Sequence, residues 1–121
     1  MVGLLGSITP LAFVLPTVAL AHAFLERATP PVGSEIAASP PELVITFTEP
    51  VEPAFSTIEV QDAVGMRIQT GRPHPADGDR QRLTVSLPRL APGTYEVVWH
   101  VTSVDTHKTE GSYVFTIIAR P

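Results

Sequence analysis

The sequence predicts an all-β domain: a seven-stranded antiparallel Greek-key β-sandwich of the immunoglobulin type. Three observations predict it. Short runs of alternating apolar and polar residues recur between residues 23 and 118. Turn residues, prolines above all, divide these runs at roughly the 8–12-residue spacing of a sandwich. Past residue 21 no window carries apolar residues at a sustained helical period. A small closed barrel is the alternative arrangement of the same strands.

Residues 1–21 stand apart from that pattern. They hold no charged side chain and are mostly apolar. Ala19 and Ala21 make an A-x-A-like cleavage site behind the apolar run, and Pro16 ends the apolar helix shortly before it. Residues 1–21 therefore read as a signal peptide cut between Ala21 and His22, although the usual basic n-region is missing. Two alternatives stand beside this reading. The run is close to the roughly 20 residues that span a bilayer and would serve as a retained anchor. A cut after Ala23 also fits the small-residue rule and would remove His22. Cleavage at Ala21–His22 leaves residues 22–121 as one domain with a modest core.

Seven windows then alternate. Ala23 to Ala28 is a short first strand. Glu42 to Thr48 puts Leu43, Ile45 and Phe47 on one face, and Ser56 to Gln61 pairs Ile58 with Val60. Met66 to Thr70 is a weak candidate. Arg82 to Leu87 turns Leu83, Val85 and Leu87 inward. Thr94 to Val101 aligns Tyr95, Val97, Trp99 and Val101, and Ser112 to Ile118 aligns Tyr113, Phe115 and Ile117. Between them, Arg72 to Arg80 (RPHPADGDR) is the most polar and turn-rich stretch and reads as an exposed loop.

All 8 Lys+Arg and all 12 Asp+Glu lie after residue 21, so the processed chain keeps the net charge of −4. That balance argues against nucleic acid or an anionic membrane surface as partner. The domain is expected to be a soluble monomer. With no cysteine there is no disulfide, although an exported compartment would permit one, and no thiolate for a metal.

The chemistry rests on histidines. After cleavage His22 offers a free α-amine and an imidazole Nδ1, which together close a chelate ring that no internal histidine can make. His74 lies between two prolines in the polar stretch and reads as a solvated bystander. His100 alternates with Trp99 and faces away from the apolar stripe. Asp105 and His107, two residues apart after the strongest strand, point the same way if the backbone there is extended. Three nitrogens from His22 and His107 in a T, with an axial oxygen from Asp105, suit tetragonal Cu(II). Zinc, which prefers a tetrahedral set, is the runner-up ion.

These residues resemble the CopC-type periplasmic copper-resistance proteins over essentially all of residues 22–121. The resemblance is carried by His22-Ala23-Phe24-Leu25, Thr46-Phe47-Thr48-Glu49-Pro50-Val51 and Tyr95-Glu96-Val97-Val98-Trp99. It continues through Ser103-Val104-Asp105-Thr106-His107 and Gly111-Ser112-Tyr113-Val114-Phe115. It implies a cupredoxin-related fold and one Cu(II) ion held by His22, Asp105 and His107. Family members commonly carry glycine where this chain has Thr106, which bears on the turn but removes no ligand. Glu49 matches a family glutamate, which would lie near the site behind the ligands or as a competing oxygen donor, and also reads as an ordinary strand-end carboxylate. Trp99 resembles the family's tryptophan close to the copper, and also reads as a core filler.

Some members add a methionine-rich Cu(I) loop. Here Met1 leaves with the signal and Met66 stands alone, so no Cu(I) site is expected. The implied role is a periplasmic or otherwise exported copper carrier or buffer, not an enzyme, that serves copper homeostasis and resistance. The implied partner is a CopD-type inner-membrane copper protein. Two alternatives from other classes remain at this point. One is a copper monooxygenase-like enzyme using the same N-terminal histidine brace, for which 7% aromatic residues make a poor substrate platform. The other is a metal-free β-sandwich interaction module.

Overall fold

The computed structural model describes residues 22–119, with Gly3 and Gly6 as isolated positions before them. The predicted signal peptide and its cleavage site therefore lie outside the described residues. Among the described residues no helix is long and apolar enough to cross a membrane.

Two sheets face each other. The first has the order β1-β3-β7-β6 and the second the order β2-β9-β8-β4-β5. The strands are β1 (Leu25–Thr29), β2 (Glu35–Ile36), β3 (Glu42–Phe47), β4 (Thr57–Gln61) and β5 (Arg67–Ile68). They continue with β6 (His74–Ala76), β7 (Asp79–Ser86), β8 (Gly93–Thr102) and β9 (Lys108–Ile117). A 3-10 turn, Pro53–Phe55, precedes β4. The chain repeatedly changes sheet, so that β3 lies between β1 and β7, and β4, besides its neighbour β5, pairs with the distant β8.

Each of the seven predicted windows holds a strand, and the β-sandwich stands. Nine strands form among the described residues, however, not seven. The two extra ones lack an alternation to read. β2 is a two-residue strand, and it pairs parallel to β9, so the second sheet is not wholly antiparallel. β6 contains Pro75, which a central strand excludes but an edge strand tolerates. The stretch Arg72 to Arg80 is thus not a loop but the β6–β7 hairpin. Asp77 and Gly78 both take positive φ, 52° and 74°, as a two-residue primed turn requires. Asp-Gly is the dipeptide that favours such a turn, and the loop reading of this stretch passes over it.

The core lies between the sheets. Leu43, Ile45 and Phe47 of β3 and Leu83 and Val85 of β7 face Val97, Trp99 and Val101 of β8 and Tyr113, Phe115 and Ile117 of β9, all buried. This is the period-2 pattern of half-buried strands. The Tyr95 hydroxyl donates to the carbonyl of Ala91 four residues upstream at 2.6 Å, in the manner of a sandwich tyrosine corner. Phe47 meets Trp99 edge-on with ring centroids 5.4 Å apart, which couples the sheets next to the end where β3 stops.

Gly111 is the cross-strand partner of Trp99, and the indole lies over it. A Cβ there would sit 2.4 Å from Trp99 Cζ2. Gly111→Ala is therefore expected to destabilise the domain by about 1–3 kcal/mol, the usual cost of overpacking. Thermal unfolding and the Trp99 emission of the variant check this; an unchanged midpoint and spectrum would contradict the packing.

Candidate metal centre

One end of the sandwich gathers the start of β1, the end of β3 and the β8–β9 hairpin. The hairpin's connection is a three-residue loop, Val104-Asp105-Thr106. Ser103 N–H donates to the His107 carbonyl at 2.8 Å, and Thr106 N–H donates to the Ser103 carbonyl at 2.9 Å. The loop is also fastened sideways. Val104 N–H donates to the Pro50 carbonyl at 3.1 Å, and Ser103 bridges to Val51.

In such hairpins the third loop residue is left-handed. That residue is Thr106, with φ at 74°. A β-branched side chain is strained there, where glycine would not be. Asp105 and His107 are thus presented by a tight turn, not by extended backbone as expected. The outcome for the side chains is the same: Asp105 Oδ2 lies 3.2 Å from His107 Nδ1. Thr106→Gly is expected to stabilise the domain by about 1 kcal/mol through relief of the left-handed strain. Chemical denaturation would show a raised midpoint at unchanged slope; a lowered midpoint would mean that Thr106 makes compensating contacts.

His22 comes to this loop by another route. Phe24 N–H donates to Thr48 Oγ1 at 2.9 Å, Thr48 Oγ1 donates to the His22 carbonyl at 3.2 Å, and Thr48 N–H donates to the Phe24 carbonyl at 2.8 Å. From the other sheet Thr109 Oγ1 donates to the Ala23 carbonyl, and Ala23 itself is fully buried. Two threonines from two sheets therefore hold the segment. Its imidazole stacks on that of His107, with centroids 4.8 Å apart and planes 28° apart. The Phe24 ring also lies stacked against that of His22, with centroids 6.0 Å apart.

The predicted site residues come together in part. His22 meets His107, and His107 meets Asp105. Stacked rings do not aim their nitrogens at one point, and among the described residues no group of three His, Cys, Asp or Glu stands in a metal-holding arrangement. Glu49 is half-buried on the link between β3 and Pro50. No hydrogen bond or ion pair among the described residues joins it to the three. Trp99 is buried in the core and meets Phe47, the last residue of β3 before Thr48, but no hydrogen bond or ring contact among the described residues joins it to the three. His100 faces outward on β8 and pairs with Glu110 at 2.9 Å. His74 is exposed on β6, its Nδ1 3.3 Å from the Arg72 carbonyl. Met66 is exposed at the β4–β5 turn, the opposite end of β4 from the site.

The electrostatics favour an ionised Asp105. The hydrogen bond from Ser103 is the largest effect; burial, the next, opposes it, and the hydrogen bond and charge of His107 add to Ser103, so that the carboxyl is held below the usual aspartate range. Its contribution to loop stability is thus present above that range and fades as pH falls through the lowered value. Ser103, Thr48 and Thr109 carry this geometry, and sequence reading gave them no role. Hydroxyls on strand ends look like ordinary surface residues until their partners, distant in sequence, are known.

The geometry can be set beside known proteins. The CopC domain family model matches residues 25–118. The chain belongs to the CopC family. It is 37% identical over 107 residues to Protein YobA of Escherichia coli K12, covering 88% of this chain and 86% of that one. It is 32% identical over 104 residues to Copper transport protein CutJ of Bacillus subtilis, covering 85% of this chain but 19% of CutJ.

Among solved structures, CopC from Methylosinus trichosporium OB3b superposes with a TM-score of 0.78 at 36% identity, covering 83% of this chain and 97% of that one. PcoC from Escherichia coli, described as a methionine-rich copper resistance protein, gives 0.73 at 28% identity, covering 80% and 99%. Membership makes this CopC-family chain a copper-related protein and places it among resistance and transport proteins rather than enzymes. Against methionine-rich PcoC, it has two methionines in all.

Proposed function

We propose that the chain is an exported Cu(II) carrier or buffer, processed between Ala21 and His22 and active in the periplasm or outside the cell. His22, Asp105 and His107 hold one Cu(II) ion, with Glu49 and Trp99 nearby. The observation that carries this reading is the stacking of His22 on His107 beside Asp105, at an exposed end of a CopC-family sandwich. Two imidazoles and a carboxylate are the donor chemistry that Cu(II) takes from nitrogen and oxygen ligands. Both rings reach solvent, so they are free to turn their nitrogens toward an ion. The new α-amine of His22 completes the set on processing.

The carrier role and its partner are read from kinship. CutJ, named a copper transport protein, contains a segment like this chain within a far longer polypeptide. A separate CopD-type membrane protein is the corresponding partner here, receiving or giving copper at the exposed histidine end. The lone Met66, remote from the histidines, supplies no soft cluster for Cu(I).

Titration of the processed protein with Cu(II) against a competing chelator tests the reading. One ion is expected to bind, with Trp99 emission falling as the site fills if the indole stands near it; an unchanged emission at a filled site would place Trp99 far from the copper. A Cu(I)-selective chelator is expected to strip the reduced ion. Failure to take up Cu(II) would return the chain to a metal-free interaction module, and tight retention of Cu(I) would reveal a soft site elsewhere.

A further inference from the structure

We infer that Ser103 is the positioning residue of the metal centre, setting the direction in which Asp105 presents its carboxylate. The inference rests on the reading of Asp105 and His107 as copper donors. Ser103 is 1% exposed, the most buried polar side chain of the domain, yet it sits at the base of an exposed loop.

Its single hydroxyl proton has one use. Asp105 Oδ1 is the charged acceptor in closest contact, and Ser103 Oγ donates to it. The lone pairs of the same oxygen accept from His107 N–H at 3.2 Å. The His107 carbonyl, also 3.2 Å from Oγ, is already served by Ser103 N–H at 2.8 Å. A closed ring results: His107 N–H to Ser103 Oγ, Ser103 O–H to Asp105 Oδ1, and Asp105 Oδ2 against His107 Nδ1 at 3.2 Å.

Two consequences follow for the site. With Oδ1 tied to a buried hydroxyl, Asp105 offers one oxygen, Oδ2, on the side where the imidazoles stand. And the backbone of His107 is fastened to the same atom that orients Asp105, so both donors share one fixed reference point. Outer partners of this kind usually change metal affinity by roughly 10–100-fold when removed. Serine suits the place because its hydroxyl donates and accepts at once and needs no room beyond Oγ.

A double-mutant cycle on the processed protein tests this. Ser103→Ala is expected to lower Cu(II) affinity about tenfold, and its Cu(II) spectrum should move in the same direction as that of Asp105→Ala. In an Asp105→Ala background, Ser103→Ala should change affinity by less than about threefold, because the effect passes through the carboxylate. Circular dichroism of the metal-free variants verifies folding, and Ser103→Gly takes the place of alanine in the cycle if alanine does not fold. A tenfold loss in both backgrounds would show a merely structural serine and overturn the inference, as would no loss in either. If the unaltered protein takes up no Cu(II), the metal-centre reading fails at its first arm and the inference falls with it.

Discussion

Cu(II) affinity is expected to fall by orders of magnitude when a single Met or Gly is left uncleaved in front of His22. The added residue converts the α-amine of His22 into an amide, which is no longer a basic donor, and the chelate ring between amine and Nδ1 is lost. The fold should not notice. The segment is anchored through the His22 carbonyl, the Ala23 carbonyl and the N–H and carbonyl of Phe24. None of these bonds involves the His22 nitrogen, and the addition lies outside the core. Metal-free circular dichroism and thermal unfolding are therefore expected to be unchanged, while the copper spectrum shifts toward fewer nitrogen donors. Equal affinity and an equal spectrum in the extended protein would remove the histidine brace from the site, even if copper still bound.

His107→Ala is expected to have the next largest effect, exceeding the roughly 10–100-fold loss typical of removing an outer partner. It deletes an imidazole that His22 stacks on and that Asp105 faces. His74→Ala and His100→Ala should leave affinity nearly unchanged. His74 belongs to the edge strand β6, and His100 is engaged with Glu110 on the outer face of β8. Asp105→Asn should fall between, since it keeps an oxygen in place and removes only the charge. Competitive Cu(II) titrations of the four variants rank them. A loss in His74→Ala or His100→Ala equal to that in His107→Ala would show that the donors have been misassigned.

Much of the fold could be read from local pattern. The alternation of Leu43, Ile45 and Phe47, or of Tyr95, Val97, Trp99 and Val101, is set by the two-residue period of a strand, and those side chains are the core. Where strands were missed, the local signal was contrary or too short. Pro75 argues against a strand, and becomes tolerable because β6 has a free edge. Glu35–Ile36 is too brief to alternate, and its pairing with β9 is a long-range event. Asp105 and His107 illustrate a different miss. Their proximity was expected from extended backbone, but it comes from a turn with Thr106 in the left-handed region.

What the sequence by itself determined is chemical identity and strand periodicity. It named the candidate donor types, placed His22 behind an A-x-A-like pattern, and offers no thiolate and no methionine cluster, because these depend on which residues are present. The tertiary structure alone decided which of these side chains meet. His22 reaches His107 because Thr48 and Thr109 fasten residues 22–24 from two different sheets, Thr109 to a carbonyl 86 positions away. Ser103 likewise gains its role only when the hairpin closes over it. Such contacts carry no sequence period, since each is a hydrogen bond between groups that only the closed sandwich brings within reach.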